Sequence, residues 1–262
     1  MQLTILGSGT AIPVADRFPA GYLLAFGATR AMVDCGPGTL RRLAQAGVSI
    51  GELDAVLLTH YHTDHCADLA PLLFALRAPQ FAGRAPLRVF GAPGLVRFVD
   101  KLTEAWPWLH PRGYELQLHQ IAPGSFALGD ATVTAVPIRH TAQSLGYRVA
   151  ADGGTAAFSG DADECDELVE LARGADVFVC EAATPDGQKL DGHLTPALTA
   201  QHAARAGCRQ LVLTHFYPAC DGHDLRAAAA AHFGGDVVLA RDLLTLPVGS
   251  LGPGAARATP PQ

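Results

Sequence analysis

Charge is scarce in this chain. Asp, Glu, Lys and Arg make up 17% of its 262 residues, and the formal balance is −6. A mildly acidic surface repels a phosphate backbone at long range, so the global field gives nucleic-acid binding no help. No basic cluster stands out to reverse this. Paired cysteines are also missing. Six occur, at 35, 66, 165, 180, 208 and 220, with no CxxC pair and no regular spacing. In a chain this long, that pattern reads as reduced, buried thiols and argues against a disulfide frame. No apolar run approaches the ~20 residues of a membrane span, so no membrane partner is expected. The opening "MQLTILGSG" shows no basic leader and no cleavage site, which makes the cytoplasm the expected setting. A nucleotide fingerprint is incomplete: "GSGT" (7–10) has no third glycine, and Ile12-Pro13 stands where a helix would begin. That stretch reads as a tight turn facing a cleft.

What is abundant is apolar residues, at 49%. That is enough for a substantial core, read here as one domain over 1–249 with an unstructured tail at 250–262. Strand patterns fall at 3–7, 21–26, 29–34, 55–59, 87–92, 114–121, 132–138, 145–151, 155–160, 176–182, 209–214 and 236–240. Helical patterns fall at 39–47, 66–78, 94–106, 164–175, 196–207 and 224–233, the first ending on Gly47. The two kinds are mixed throughout, with no linker between them. Two sheets covered by outer helices, an α/β arrangement, would bury such strands on both faces.

The chemistry concentrates in "LLTHYHTDHCADL" (57–69). His60, His62, Asp64 and His65 spell H-x-H-x-D-H directly after an apolar strand. Alternation along an extended segment would put 60, 62 and 64 on one side, with a turn bringing His65 around. Imidazole and carboxylate suit zinc or a similar divalent ion, and the same donors accept manganese. Four such groups do not share one tetrahedral ion comfortably and leave a reactive position, so two adjacent ions are expected. Further ligands are sought at the ends of other apolar runs: His140 after "VTAVPIR", Asp161 after "TAAFSG", and His215 after "LVLT". A lone histidine at a strand end is more often a satisfied core or surface residue; the compact cluster changes that judgement. "VLLTH" (56–60) and "LVLTH" (211–215) are near copies, each ending on a histidine. His110, His119, His202, His223 and His232 lie in polar or helical contexts and read as surface. "CDGH" (220–223) has no strand before it and reads poorly as a ligand pair.

The ordered set, H-x-H-x-D-H followed by a distant His, an Asp and a final His, resembles the metallo-β-lactamase superfamily over residues 1 to about 247. "LGSGTAIPVADRFPAGYLL", "EAAT" (181–184) and "HLT" (193–195) resemble its ribonuclease Z branch. The resemblance implies a four-layer αβ/βα sandwich of two mixed sheets flanked by helices, a dinuclear site and a homodimer. It places one ion on His60, His62 and His140, a second on Asp64, His65 and His215, and Asp161 between them. It makes Glu181 and His193 a polar pair near the leaving group, and Asp34 a group that orients a ligand. The branch carries a long tRNA-binding arm between the positions of His140 and Asp161, and only twenty residues separate them here. The branch also commonly has Gly where Thr63 stands. The best-known β-lactamases have Cys at the position of Asp161 and are exported, so antibiotic hydrolysis is not expected. The expected activity is hydrolysis of a small or nucleotide-like phosphodiester by a hydroxide held between two divalent ions, zinc or manganese. Asp64, Glu181 and His193 would be the catalytic side chains. Hydrolysis of carboxylic esters, thioesters or lactones on the same centre is one alternative. Cleavage of tRNA 3′ ends without the arm is another, and a non-catalytic metal-binding protein a further one.

Overall fold

A computed structural model of the chain describes residues 1–249; the tail expected at 250–262 lies outside them. The first half runs β1 (Gln2–Gly7), β2 (Gly21–Phe26), β3 (Thr29–Cys35), α1 (Thr39–Gln45), β4 (Ala55–Leu57), α2 (Thr63–Cys66), α3 (Leu69–Ala75), β5 (Leu87–Gly91), α4 (Leu95–Ala105) and β6 (Leu116–Gln120). The second half runs β7 (Gly124–Leu128), β8 (Ala131–Pro137), β9 (Leu145–Ala151), β10 (Gly154–Phe158), α5 (Asp166–Ala172) and β11 (Val177–Glu181). It continues through α6 (Pro196–Ala206), β12 (Gln210–Thr214), α7 (Leu225–Ala230), β13 (Asp236–Leu239) and β14 (Thr245–Pro247).

These strands make two seven-stranded sheets. One has the order β14-β1-β2-β3-β4-β5-β6, the other β13-β12-β11-β10-β9-β8-β7. Each begins as an antiparallel meander and turns parallel, at β3–β4 in the first sheet and at β10–β11 in the second. Both sheets are therefore mixed, as the α/β sandwich requires. Period-2 alternation sorts the side chains. Leu3, Ile5, Tyr22, Leu24, Ala31, Val33, Ala55 and Leu57 join the large core shared with the second sheet. Leu6, Leu23, Met32, Val56 and Leu58 point the other way, onto Leu43, Leu69, Leu72, Leu73, Leu95 and Val99 of α1, α3 and α4. On the second sheet, α5 packs on β9 and β10, α6 on β11 and β12, and α7 on β13. Hydroxyls tie the sheets together. Tyr147 Oη donates to Leu58 O at 2.9 Å, and Tyr22 Oη meets Thr214 Oγ1 at 3.3 Å.

Several expectations need correction. The strand expected at 55–59 ends at Leu57. The helix expected at 66–78 is two pieces: α2 begins earlier, at Thr63, and α3 starts anew at Leu69. The extended run therefore stops at His62, and Asp64 lies in a helical turn, not in alternation with 60 and 62. Two strands, β7 and β14, carry no expectation at all. His202 is not a surface residue; it is buried, and its Nδ1 donates to Leu198 O at 2.8 Å, the satisfied bond of a core histidine. His119 is partly buried and stacks on Phe90. The β9–β10 connection is only Asp152-Gly153, both at positive φ, the turn chemistry that closes a tight hairpin.

Candidate metal centre

Each residue expected at the centre sits where a strand has just ended, at one rim of the sandwich. His60 and His62 lie on the loop leaving β4, and Asp64 and His65 on α2. His140 follows β8, Asp161 follows β10 and His215 follows β12. All seven meet. His60, His62, His140 and Asp161 form one group whose donor atoms lie within 4.8 Å of one another, and Asp64, His65 and His215 form a second. Asp161 stands between them. Its Oδ1 lies 3.0 Å from His65 Nε2 and 3.2 Å from His215 Nε2. Its Oδ2 lies 3.7 Å from both His60 Nε2 and His140 Nε2.

The outer nitrogens explain why the inner ones point inward. His65 Nδ1 donates to Asp34 Oδ2 at 2.7 Å, and His140 Nδ1 donates to Gly192 O at 2.8 Å. Thr59 Oγ1 gives its proton to Asp34 Oδ2 at 2.9 Å, so at 3.0 Å it accepts from His60 Nδ1. With Nδ1 protonated in all three rings, each presents a bare Nε2 to the cluster, the arrangement that serves metal ligation. Asp34 holds this frame from a left-handed φ of 58°, and His215 turns off its strand with φ 61°. Asp and His tolerate that region better than most residues.

The donor set fits divalent cations. His60 Nε2 and Asp161 Oδ1 are buried and make no hydrogen bond among the described residues. His62 Nδ1 lies 3.2 Å from His140 Nε2, and His65 Nε2 lies 3.3 Å from His215 Nε2. Ring nitrogens at that distance hold a proton or a cation between them; nitrogens sharing one zinc stand about 3.3 Å apart. Electrostatics agree. Burial and the neighbouring His65 push the His60 imidazolium down to about 2, so its lone pair stays free. Burial also disfavours charge on His65, yet Asp161 and Asp34 outweigh it and raise its pKa well above the usual value. Burial pushes the Asp64 carboxyl up, but His215 and His65 hold it at about 2. The cluster attracts positive charge, and a metal and a proton compete for it.

A second constellation flanks the first. Glu181, at the end of β11, is buried and accepts from His193 Nδ1 at 3.0 Å and from the backbone of Ala162 and Leu194. That leaves His193 Nε2 free, and His193 shares a within-4.8 Å group with Asp161 and His215. Burial pushes the His193 imidazolium down, but the Glu181 bond and charge prevail and raise its pKa above the usual range. The loop bearing His193 is pinned by Asp163, whose carboxylate accepts from Gly192 N at 3.0 Å and pairs with Lys189 at 2.8 Å.

Some contributors escaped the sequence reading. Ala11 N donates to Asp64 Oδ2 at 3.1 Å, so the "GSGT" turn does face the cleft, through a backbone group that no side-chain motif reveals. The "TH" ending of "VLLTH" was the available signal for Thr59. Tyr217 stands edge-on to the rings of both His193 and His215, with centroids 5.8 and 5.9 Å away. His223 is exposed and belongs to neither donor group.

A family profile described as "Beta-lactamase superfamily domain" matches residues 29–216, more than half of the chain. The chain belongs to the metallo-β-lactamase superfamily. It is 35% identical to a protein named Ribonuclease Z from Mycobacterium marinum, over 93% of this chain and 97% of that one. A Ribonuclease Z from Nocardia farcinica is 31% identical, over 94% and 97%. Among solved structures, the metallo-β-lactamase fold protein YhfI from Bacillus subtilis superposes with a TM-score of 0.82 at 27% identity, covering 94% of this chain and 98% of that one. The short form of human tRNase Z superposes with a TM-score of 0.78 at 25% identity, covering 95% and 100%. Within the superfamily the chain is a metal-dependent hydrolase of the ribonuclease Z-like branch. The M. marinum alignment is 272 positions long against a 262-residue chain, so that relative carries insertions this one lacks. Among the described residues, no helix is long and apolar enough to cross a membrane.

Proposed function

We propose that this superfamily member is a phosphodiesterase for small or nucleotide-like substrates, working with two divalent ions, zinc or manganese. The observation that carries this reading is Asp161: one carboxylate oxygen faces His65 and His215, the other faces His60 and His140. His60, His62 and His140 would hold one ion, Asp64, His65 and His215 the other, and Asp161 would touch both. Bound there, such ions acidify a coordinated water and neutralise charge on phosphoryl oxygens.

The protein's own groups supply the rest. Asp64, anchored by Ala11 N–H, keeps lone pairs free to orient an attacking water and take its proton. His193 offers Nε2–H to the leaving oxygen, with Glu181 holding the ring and favouring its protonated form. An acid aimed at an alkoxide suits phosphodiesters better than activated esters. The two-residue β9–β10 turn supports a small substrate, because it lies in the interval where the branch carries its tRNA arm. The names of the Mycobacterium and Nocardia relatives favour a second reading, cleavage of tRNA 3′ ends.

The test pairs metal analysis with a panel of bis-p-nitrophenyl phosphate, cyclic nucleotides, lactones and pre-tRNA. The parent should bind about two ions per chain and turn over phosphodiesters, and Asp64→Ala should abolish that turnover. Parental activity in an Asp64→Ala protein that has lost its metal would overturn the reading. So would a parent active on lactones alone.

A further inference from the structure

We propose that the Tyr217 hydroxyl is a substrate-contacting group, a neutral donor that grips a phosphoryl oxygen beside His193. This rests on the phosphodiesterase reading and deepens it, by naming a residue that would separate phosphodiesters from planar esters.

The backbone sets the ring in place. Phe216, between His215 and Tyr217, is buried in the core, and its amide donates to Ser8 O at 3.0 Å. Tyr217 N donates to Ala183 O at 3.0 Å, which fastens the segment to the strand end that carries Glu181. The rings of His193 and His215 stack at 5.7 Å with 16° between their planes. The phenol stands across both, at 71° and 76°. Tyr217 is only half-buried, and among the described residues its hydroxyl makes no hydrogen bond. A tyrosine placed among polar groups normally finds a partner for its O–H. Around it, the outer nitrogens of His65, His140 and His193 are all committed. The Tyr217 hydroxyl and His193 Nε2 are thus two donors left open on neighbouring rings, whose centroids stand 5.8 Å apart.

The chemistry of the partner follows. A phenol O–H is neutral, so it can donate to an anionic oxygen without competing with the His/Asp set for cations. A phosphodiester presents two non-bridging oxygens and a leaving oxygen, all carrying charge in the transition state. A planar carboxylic ester or lactone has one carbonyl oxygen and less need of an extra donor. Removing a hydrogen bond to a charged group costs on the order of tenfold in affinity or rate.

The experiment uses the full-length, metal-loaded protein as parent, Tyr217→Phe and Tyr217→Ala. Metal content and melting temperature come first, then inorganic phosphate affinity by calorimetry. Last comes kcat/KM on bis-p-nitrophenyl phosphate and on p-nitrophenyl acetate. Tyr217→Phe should keep its metal and melting temperature and bind phosphate about tenfold more weakly. It should lose about tenfold in kcat/KM on the diester and less than about threefold on the planar ester. Tyr217→Ala should lose no more than a further factor of about three. The proposal is overturned if Tyr217→Phe binds phosphate like the parent, if both substrates suffer equally, or if Phe already loses metal. Failure of the phosphodiesterase reading looks different: the parent itself would not cleave the diester, while phosphate affinity would still decide the role of the hydroxyl.

Discussion

His193 differs from the other imidazoles at the centre in what its outer nitrogen meets. His60, His65 and His140 lean on a threonine, a fully buried aspartate and a backbone carbonyl, whereas His193 leans on Glu181, a carboxylate it does not share with the cluster. Its pKa is raised, so the sign of its pH dependence follows. The imidazolium and the stability it contributes are fully present below the ordinary histidine value, and both are lost as pH rises through the folded value. An acid role should therefore appear as a fall in kcat on the alkaline side. Glu181→Gln removes the charge that raises the pKa, so this alkaline limb should move to lower pH; a pH profile of kcat on a phosphodiester with a poor leaving group checks it. An unmoved limb would mean that His193 is not the titrating acid. His193→Ala should lower kcat on that substrate by about 10²–10⁴-fold, and by far less on a diester with a p-nitrophenolate leaving group. None of this pairing can be computed from spacing. Glu181 and His193 are twelve residues apart, and the buried contact arises because β11 ends beneath the loop that returns to α6.

Among the elements, what decides the site is how closely α2 approaches the end of β3. Gly36 permits it: a Cβ there would lie 2.0 Å from Asp64 O and 2.8 Å from Pro19 Cβ. Gly36→Ala must push α2 away, carrying Asp64 and His65 with it. The expected result is loss of more than about tenfold in metal affinity and about 1–3 kcal/mol in stability, read by metal titration and urea unfolding. Gly47 is the control. It has φ 80° and open space around its Cα, so Gly47→Ala should cost about 1 kcal/mol and leave metal affinity unchanged. The same region marks where sequence patterns ran out. The apolar runs into His60, His140, Asp161 and His215 were legible, since a buried strand announces its own end. The turn that brings His65 around was legible too, but its helical start at Thr63, which takes Asp64 out of alternation, was not, because nothing in "HTDHC" outweighs the extended reading of Asp64 until β3 packs against it. Nor were β7 and β14. "GSFAL" is short, mostly exposed and at a sheet edge, while "TLP" is a strand only because β1, more than 240 residues earlier, pairs with it.

Across the whole molecule, the candidate ligands divide between the sheets. His60, His62, Asp64 and His65 belong to the sheet of β4, and His140, Asp161 and His215 to the sheet of β12. Ions held among them would cross-link the two halves of the sandwich at one rim, above the core contacts of Tyr147 and Tyr22. Binding to the folded chain alone stabilises it by mass action, about 2.7 kcal/mol when free metal is a hundred times Kd. A chelator should therefore lower the urea midpoint by an amount set by metal concentration. Hydrogen exchange should quicken at the strand ends near 58–60, 138–140 and 214–216 before it quickens in β1 or β2. The outer hydrogen bonds of His60, His65 and His140 already orient the rings, so the chelated protein should keep its secondary structure and recover on adding metal back. Unfolding on chelation would show instead that the cations build the sandwich, and the rim could not then be a pre-set site on a fold that stands without them.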